Sequence, residues 1–306
     1  MKKIKKKILI IGGTGFIGSH LIKKTLKLGW GVTSISLKKN KNNQNKKAKY
    51  INLDFSDFNS LKKKVNFDFD YIINLGGYIN HSNKKIDETK ILKNHFESTI
   101  NLILLSNHKL KRYIHIGTSD EYGNSKSPIK ENSNELPMSA YANAKNLSTN
   151  LLLKLNSISN FPVTILRLFI VYGPNQKQDR LLPYVITQSL KHRKIYLSHG
   201  RQLRDFCYVD DIIDAIIICL KNKKSVGQIF NLGSGIPISV KKIVNKVIKF
   251  VGSGEPKYNY FIGKNNENLK LYPSITKAKK ILGWKPKISI EDGLKKTINS
   301  YKRYIK

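Results

Sequence analysis

Along the 306-residue chain, short uninterrupted apolar runs alternate with longer stretches in which apolar residues recur at helical spacing. The runs Ile8 to Ile11, Val32 to Ile35, Tyr50 to Leu53, Tyr71 to Leu75, Tyr113 to Ile116 and Val163 to Leu168 predict buried strands. Helix-period segments lie between most of them, the first from about Phe16 to Leu28. This βαβ alternation predicts an α/β fold with a doubly wound parallel sheet covered on both faces. Ligands in such sheets bind beyond the carboxyl ends of the strands, where the strand order reverses. After Gly173-Pro174 the pattern turns irregular, with helices predicted at Leu181 to Lys191, Asp210 to Leu220, Val240 to Val251 and Glu291 to Tyr301. Lys38 to Lys49 is a Lys/Asn stretch of low complexity and reads as a solvated loop.

Gly12, Gly15 and Gly18 fall where the first strand turns into the first helix. A dinucleotide-phosphate cradle needs glycine at these places, because a tight turn, close approach of backbone to pyrophosphate and close helix-strand packing each exclude a Cβ. The pyrophosphate would face the amides of the helix beginning at Phe16 and Ile17, where the helix dipole favours negative charge. An ordinary tight strand-helix turn can carry the same glycines.

Composition narrows the class. Lys+Arg 56 against Asp+Glu 20 gives a formal charge of +36, which attracts polyanions and raises nucleic-acid binding as an option. The excess is lysine scattered along the whole chain rather than arginine and aromatics gathered on one element, so it reads as solvated surface and predicts no specific nucleic-acid partner. The basic opening Met1 to Lys7 imitates a secretion signal, but the apolar run behind it stops at Gly12, too short for one. No membrane span is predicted either. Cys207 and Cys219 form neither a CxxC pair nor a disulfide framework, which fits a reducing cytoplasm. The seven histidines show no HExxH or Cys/His cluster, and no metal is expected.

Tyr141 and Lys145 stand at i and i+4 behind a Pro137-Met138-Ser139 helix start, on one helical face. A free tyrosine titrates near pH ~10, and an adjacent ammonium favours its phenolate, which can take a proton from a sugar hydroxyl. By itself such a YxxxK is as compatible with surface decoration. Thr118, Ser119 and Asp120 follow the strand Tyr113 to Ile116 at the sheet's carboxyl edge, where hydroxyls and acids reach a bound ligand, or merely turn the chain.

Taken together, GGTGFIGSH (12 to 20), TSDEYG (118 to 123), YANAK (141 to 145), LRLFIVYGP (166 to 174), RQLRDFCYVDD (201 to 211), NLGSG (231 to 235) and LGWKP (282 to 286) give the chain its family likeness. It resembles, nearly end to end, the extended short-chain dehydrogenase/reductase family, specifically its NAD(P)-dependent nucleotide-sugar epimerases, dehydratases and reductases. The resemblance implies a Rossmann-type core over residues 1–172, with 207–235 returning to it. It also implies a smaller C-terminal α/β substrate lobe from 173–206 and 236–306, with the substrate between the two. It implies a Thr118, Tyr141, Lys145 catalytic set, with Tyr141 as base and Lys145 fixing the nicotinamide ribose. Gly12, Gly15, Phe16, Ile17 and Gly18 would hold the cofactor phosphates, Asp54 would contact the adenine, and Leu75, Gly76 and Gly77 would line the cofactor. Arg204 matches an arginine that grips the nucleotide part of the substrate, or else pairs with Asp205 or Asp211.

Three positions depart from the family. Ser36, with Lys38 and Lys39 behind it, stands where NAD-preferring members carry an acid, so NADP is the expected cofactor with NAD as the alternative. Ile170 replaces a common asparagine that touches the substrate diphosphate, and His95 replaces a common asparagine in HFESTINL. The expected activity is hydride transfer at a sugar carbon, C4, of a nucleoside-diphosphate sugar through a keto sugar, as an epimerase or reductase. A 4,6-dehydratase is the alternative, with Ser119 and Asp120 where many dehydratases carry an acidic pair or a glutamate. From another class, a non-catalytic dinucleotide-sensing or RNA-associated protein would need neither Tyr141 nor Lys145. A homodimer is usual for the family.

Overall fold

The computed structural model describes residues 6–37, 44–77, 85–261 and 268–305. Six strands cover the six apolar runs: β1 (Lys7–Ile11), β2 (Gly31–Ser36), β3 (Lys49–Asn52), β4 (Tyr71–Asn74), β5 (Arg112–Thr118) and β6 (Val163–Leu168). The chain continues through β7 (Ile170–Tyr172), β8 (Lys194–Tyr196), β9 (Leu203–Tyr208), β10 (Gln228–Leu232), β11 (Pro237–Ser239), β12 (Glu255–Lys257) and β13 (Lys270–Leu271). The helices are α1 (Phe16–Lys27), α2 (Phe58–Lys64), α3 (Lys85–Leu92), α4 (Ser98–Leu105), α5 (Ala140–Ser159), α6 (Leu181–Leu190), α7 (Val209–Lys221), α8 (Val240–Val251) and α9 (Ile290–Ile305).

Two compact units emerge. The first takes in Met1–Gly123, Asn134–Arg167 and Ile213–Phe230, and the second Asn124–Ser133, Leu168–Ile212 and Asn231–Lys306. The main sheet runs β10-β6-β5-β4-β1-β2-β3 with parallel pairing, so its order reverses between β1 and β4. β4, β5 and β6 are buried at every position and β1 at all but its first, as strands of a helix-covered parallel sheet must be. One core cluster joins Leu9, Ile11, Ile35, Phe55, Ile72 and Tyr113 to Leu152 of α5.

Helix α1 buries Gly18, Leu21, Ile22 and Thr25, a stripe at i, i+3, i+4 and i+7. Helix α5 starts where the Ser139 hydroxyl accepts from the Ala142 amide at 3.2 Å and ends at left-handed Asn160. Its buried face includes Tyr141, Ala144, Lys145, Ser148, Thr149 and Leu152. A lysine buried on this inward face, one helical turn from a buried tyrosine, is the first sign of function.

In the second unit β9 pairs with β7 and β13 in parallel and with β11 antiparallel. Asp205 of β9 ties down the NLGSG loop, accepting from the Ser234 and Gly235 amides at 2.6 Å each and from the Ser234 hydroxyl at 2.9 Å. Asp211 likewise holds the LGWKP segment: its carbonyl accepts from the Trp284 indole at 3.0 Å and its carboxylate from the Lys287 and Ile288 amides. No helix of the described residues is long and apolar enough to cross a membrane. Cys207 and Cys219 are both buried, and burial pushes the Cys219 thiol up to about 12.

Candidate active site

The glycine loop sits where the sheet order reverses, at the carboxyl end of β1. Gly12 adopts a left-handed φ of +77° and closes the turn by accepting from the Gly15 amide at 3.0 Å, while its own amide donates to Ile35 at 2.7 Å. A Cβ on Gly18 would lie 2.4 Å from the Gly12 carbonyl oxygen, so this helix packs on this turn only with glycine. A Cβ on Gly12 would press on the Leu75 carbonyl beyond β4, whereas one on Gly15 would meet only the Gly12 oxygen, at 3.1 Å. Gly15 caps α1 without a side chain, and Phe16 and Ile17 form the helix's first turn. These residues fit a dinucleotide: a bare helix N-terminus and an open glycine face lie beside the ends of β2 and β4.

Ser36 ends β2, and its hydroxyl accepts from the Thr14 amide at 3.3 Å. Its side chain is therefore tied to the glycine loop and keeps its own proton to donate. Lys38 and Lys39 lie outside the described residues. Asp54 uses one carboxylate oxygen on the Ser56 amide and hydroxyl, at 2.9 and 2.7 Å. Beyond β4, the Gly76 amide donates to the Asn74 side chain at 3.1 Å. At Gly77, φ is +130° and the His95 ring stands where a Cβ would be.

At the carboxyl end of β5 a single helical turn, Ser119–Tyr122, is fixed by a capping box. The Thr118 hydroxyl accepts from the Asp120 amide at 3.2 Å, and the Thr118 amide donates to Glu121 at 2.8 Å. Behind this turn lies a buried charge network. Both oxygens of Glu121 are used: besides Thr118, it accepts from the Thr149 hydroxyl at 2.9 Å and from Arg167 at 2.9 and 2.7 Å. Arg167 also meets Glu135 at 2.5 Å and lies 4.4 Å over the Tyr122 ring. Burial opposes the Arg167 charge, but Glu121 and Glu135 outweigh it and keep the guanidinium protonated. Asp120 is left as the acid of the turn not bound into this network, with the Ser119 hydroxyl 3.5 Å away.

Tyr141 and Lys145 come to the same edge on α5. Lys145 is buried and donates to the Ile116 carbonyl of β5 at 2.8 Å. Burial pulls its ammonium down to about 8, against the opposing pull of Glu121. The Tyr141 ring meets His95 edge to face, centroids 5.2 Å apart. His115 of β5 is fully buried, and neither ring nitrogen has a hydrogen-bond partner among the described residues. Burial first, then Lys145, His95 and Arg167, hold it well below the usual histidine value, so it is neutral beneath the ammonium.

Thus Gly12, Gly15, Gly18, Ser36, Leu75 and Gly76 gather at one part of the carboxyl edge, and Thr118, Ser119, Asp120, Tyr141 and Lys145 at another part of it. Arg204 belongs to the second unit, on β9, where it donates to the Leu203 carbonyl at 3.0 Å. Asp205 holds the NLGSG loop and Asp211 the LGWKP segment. Ile170 is on β7. Sequence reasoning missed Glu121, Arg167 and Glu135 as a network; an arginine in the strand LRL, buried at every position, was the available signal. Among the described residues no group of His, Cys, Asp and Glu is placed to hold a metal.

Comparison with known proteins extends this picture. The family model for the NAD dependent epimerase/dehydratase family matches residues 8–233. A putative UDP-glucose 4-epimerase of Methanocaldococcus jannaschii is 30% identical over 303 residues, 95% of this chain and 97% of its own length. A crystal structure of UDP-glucose 4-epimerase with UDP-glucose from Thermotoga maritima matches with a TM-score of 0.92 at 25% identity, covering 98% of this chain and 100% of that one. UDP-glucuronic acid 4-epimerase from Bacillus cereus, solved with UDP-glucuronic acid and NAD, matches at 0.88 and 28% identity, over 97% and 99% of the two chains. With a glycine cradle at the sheet's switch point and a buried Tyr-Lys pair at its edge, the chain belongs to the NAD dependent epimerase/dehydratase family of enzymes.

Proposed function

We propose that the chain epimerises C4 of a uridine-diphosphate sugar, with Tyr141 as general base. The observation that carries this reading is the buried Lys145 one helical turn from Tyr141, its ammonium fixed on the Ile116 carbonyl beside the Thr118 turn. A cation held there lowers the cost of a phenolate, which then takes the proton from the sugar hydroxyl. Thr118 offers a hydroxyl to the same oxygen, and the Glu121-Arg167 pair holds its turn in place. Gly12, Gly15, Phe16, Ile17, Gly18, Ser36, Leu75, Gly76 and Gly77 would hold the dinucleotide, Asp54 its adenine, and Lys145 its ribose; Arg204 would take the nucleotide of the substrate. The bound dinucleotide supplies the hydride acceptor. The proton meanwhile rests on Tyr141, from which it can return to the sugar oxygen. The 4-epimerases named above, matched over nearly the whole chain, support this choice within the family.

Ser36 supports NADP(H), since a hydroxyl in place of a carboxylate admits a 2′-phosphate. The Bacillus cereus relative holds NAD, which makes NAD(H) the other reading. Elimination, as a 4,6-dehydratase, is the second activity, because Asp120 remains as an acid on the turn. Glu121 cannot assist it, being consumed by Arg167, Thr149 and Thr118.

Incubation with each dinucleotide and a panel of 4-hydroxy and 4-keto nucleotide sugars, read by mass and chromatography, separates the outcomes. An isomer of unchanged mass is expected, and Tyr141→Phe should lower turnover by about 10²–10⁴ with cofactor binding intact. Loss of water abolished by Asp120→Asn would establish the dehydratase. Net consumption of reduced cofactor would establish a reductase, and undiminished turnover in Tyr141→Phe would remove the base.

A further inference from the structure

His95 has no part in the chemistry above, yet it is 2% exposed and stands between two pieces of the candidate site. On one side its ring meets the Tyr141 ring at 5.2 Å with an interplanar angle of 75°. On the other it covers Gly77, where a Cβ would fall 1.8 Å from the imidazole Cε1 and where φ of +130° already demands glycine.

The backbone is arranged to put the ring there. Lys93–Glu97 forms a π turn between α3 and α4, and its extra residue re-aims the side chains that follow. The His95 carbonyl accepts from the hydroxyls of Thr99 at 2.6 Å, Ser98 at 3.3 Å and Ser148 at 3.2 Å. Ser148 lies on α5 on the same buried face as Tyr141 and Lys145, so main chain and ring of one residue both grip the helix that carries the base.

We infer that His95 is a positioning residue for Tyr141: its flat ring, wedged between the Gly77 turn and the phenol, fixes the rotamer that keeps the phenol beside Lys145. Edge-to-face contact prefers one ring orientation. A side chain of similar bulk without a flat edge leaves the phenol free to turn, and small misplacements of a reacting group are costly. The inference rests on the proposed role of Tyr141 as base.

The test compares wild type, His95→Phe, His95→Leu and Tyr141→Phe on the nucleotide sugar that wild type turns over, across about pH 6–10. Phe keeps a flat ring and Leu fills the space, so both variants should fold. His95→Phe is expected to stay within about threefold of wild type in kcat. His95→Leu should fall by about tenfold or more in kcat with KM unchanged. Its acid limb should also move to higher pH, because a phenol displaced from the ammonium ionises later. Equal losses in Phe and Leu, or kcat in Leu within about twofold of wild type, would overturn the inference.

If wild type turns over none of the sugars, the proposed function fails by itself. The phenol's ionisation, read as the absorbance difference between each protein and its Tyr141→Phe counterpart, then decides about His95. A higher midpoint in His95→Leu than in wild type supports positioning, and an unchanged one overturns it.

Discussion

The Glu121-Arg167 pair gives the sharpest test of how the candidate site is held. Both side chains are 0% exposed, so neither charge can fall back on water when its partner goes. Glu121→Gln keeps the shape but removes the charge. It leaves one carbonyl oxygen to serve donors from Thr118, Thr149 and Arg167, and turns an amide NH₂ toward the rest. Breaking a buried pair from one side costs about 3–5 kcal/mol. Glu135 remains at 2.5 Å from Arg167 with its side chain 26% exposed, which places the expected loss at the lower end, about 3 kcal/mol. At about 2–4 °C per kcal/mol for a unit of 150–250 residues, Tm should fall by about 6–12 °C.

Adding Arg167→Met removes the orphaned cation, so the double variant should be no less stable than Glu121→Gln alone. Circular-dichroism melts of the four proteins give the cycle. A loss below about 1 kcal/mol for Glu121→Gln, or simple addition of the two single losses, would refute a coupled buried pair. Because the single amide oxygen cannot serve Thr118 on one side and Thr149 and Arg167 on the other, the Thr118 turn is held less firmly against α5 and kcat should fall as well as Tm.

Two other expectations follow. Lys145 is held at about 8 in the fold against 10.5 in the unfolded chain, so between those values the unfolded state binds the extra proton and stability rises with pH. Wild type should therefore gain about 3 kcal/mol over Lys145→Met across that window, and parallel stability curves from pH 7 to 11 for the two would refute the buried ammonium. In Gly18→Ala the new Cβ would stand 2.4 Å from the Gly12 oxygen and 2.6 Å from the Gly13 Cα, both backbone, so the loop must shift. A loss of about 1–3 kcal/mol in stability and about tenfold or more in dinucleotide affinity is expected by melting and titration calorimetry, and unchanged affinity would show that the turn is not the cradle.

What the sequence disclosed follows from what is local. Apolar runs located β1 to β6 to within a few residues, and Val240 to Val251 matches α8 at both ends, because Ser239 caps it and Gly252 stops it with a φ of +88°. Gly12 and Gly18 were legible because a left-handed φ at the one and backbone crowding at the other restrict those positions to glycine. The Glu121-Arg167 pair was not, since nothing in the chain between positions 121 and 167 says that two charges will share a dry site. His95 was noticed only as a departure from the family. Its contact with Tyr141 depends on a π turn, whose single extra residue leaves no trace in apolar periodicity. β10 was hidden for another reason: Gln228–Leu232 mixes polar and apolar residues, and its place in the sheet is set by pairing with β6.

That last strand bears on how the chain comes into being. β6 is buried at every position, and the neighbour that covers one of its edges is made only after Phe169 to Gly227 have left the ribosome. At about 5–20 residues per second, the interval lasts seconds, during which a run of Val163, Ile165, Leu166 and Leu168 has open hydrogen-bonding groups on one side. A fragment ending before Gln228 would keep that edge open permanently. It should collect in aggregates, whereas a chain extended past Leu232 should stay in solution.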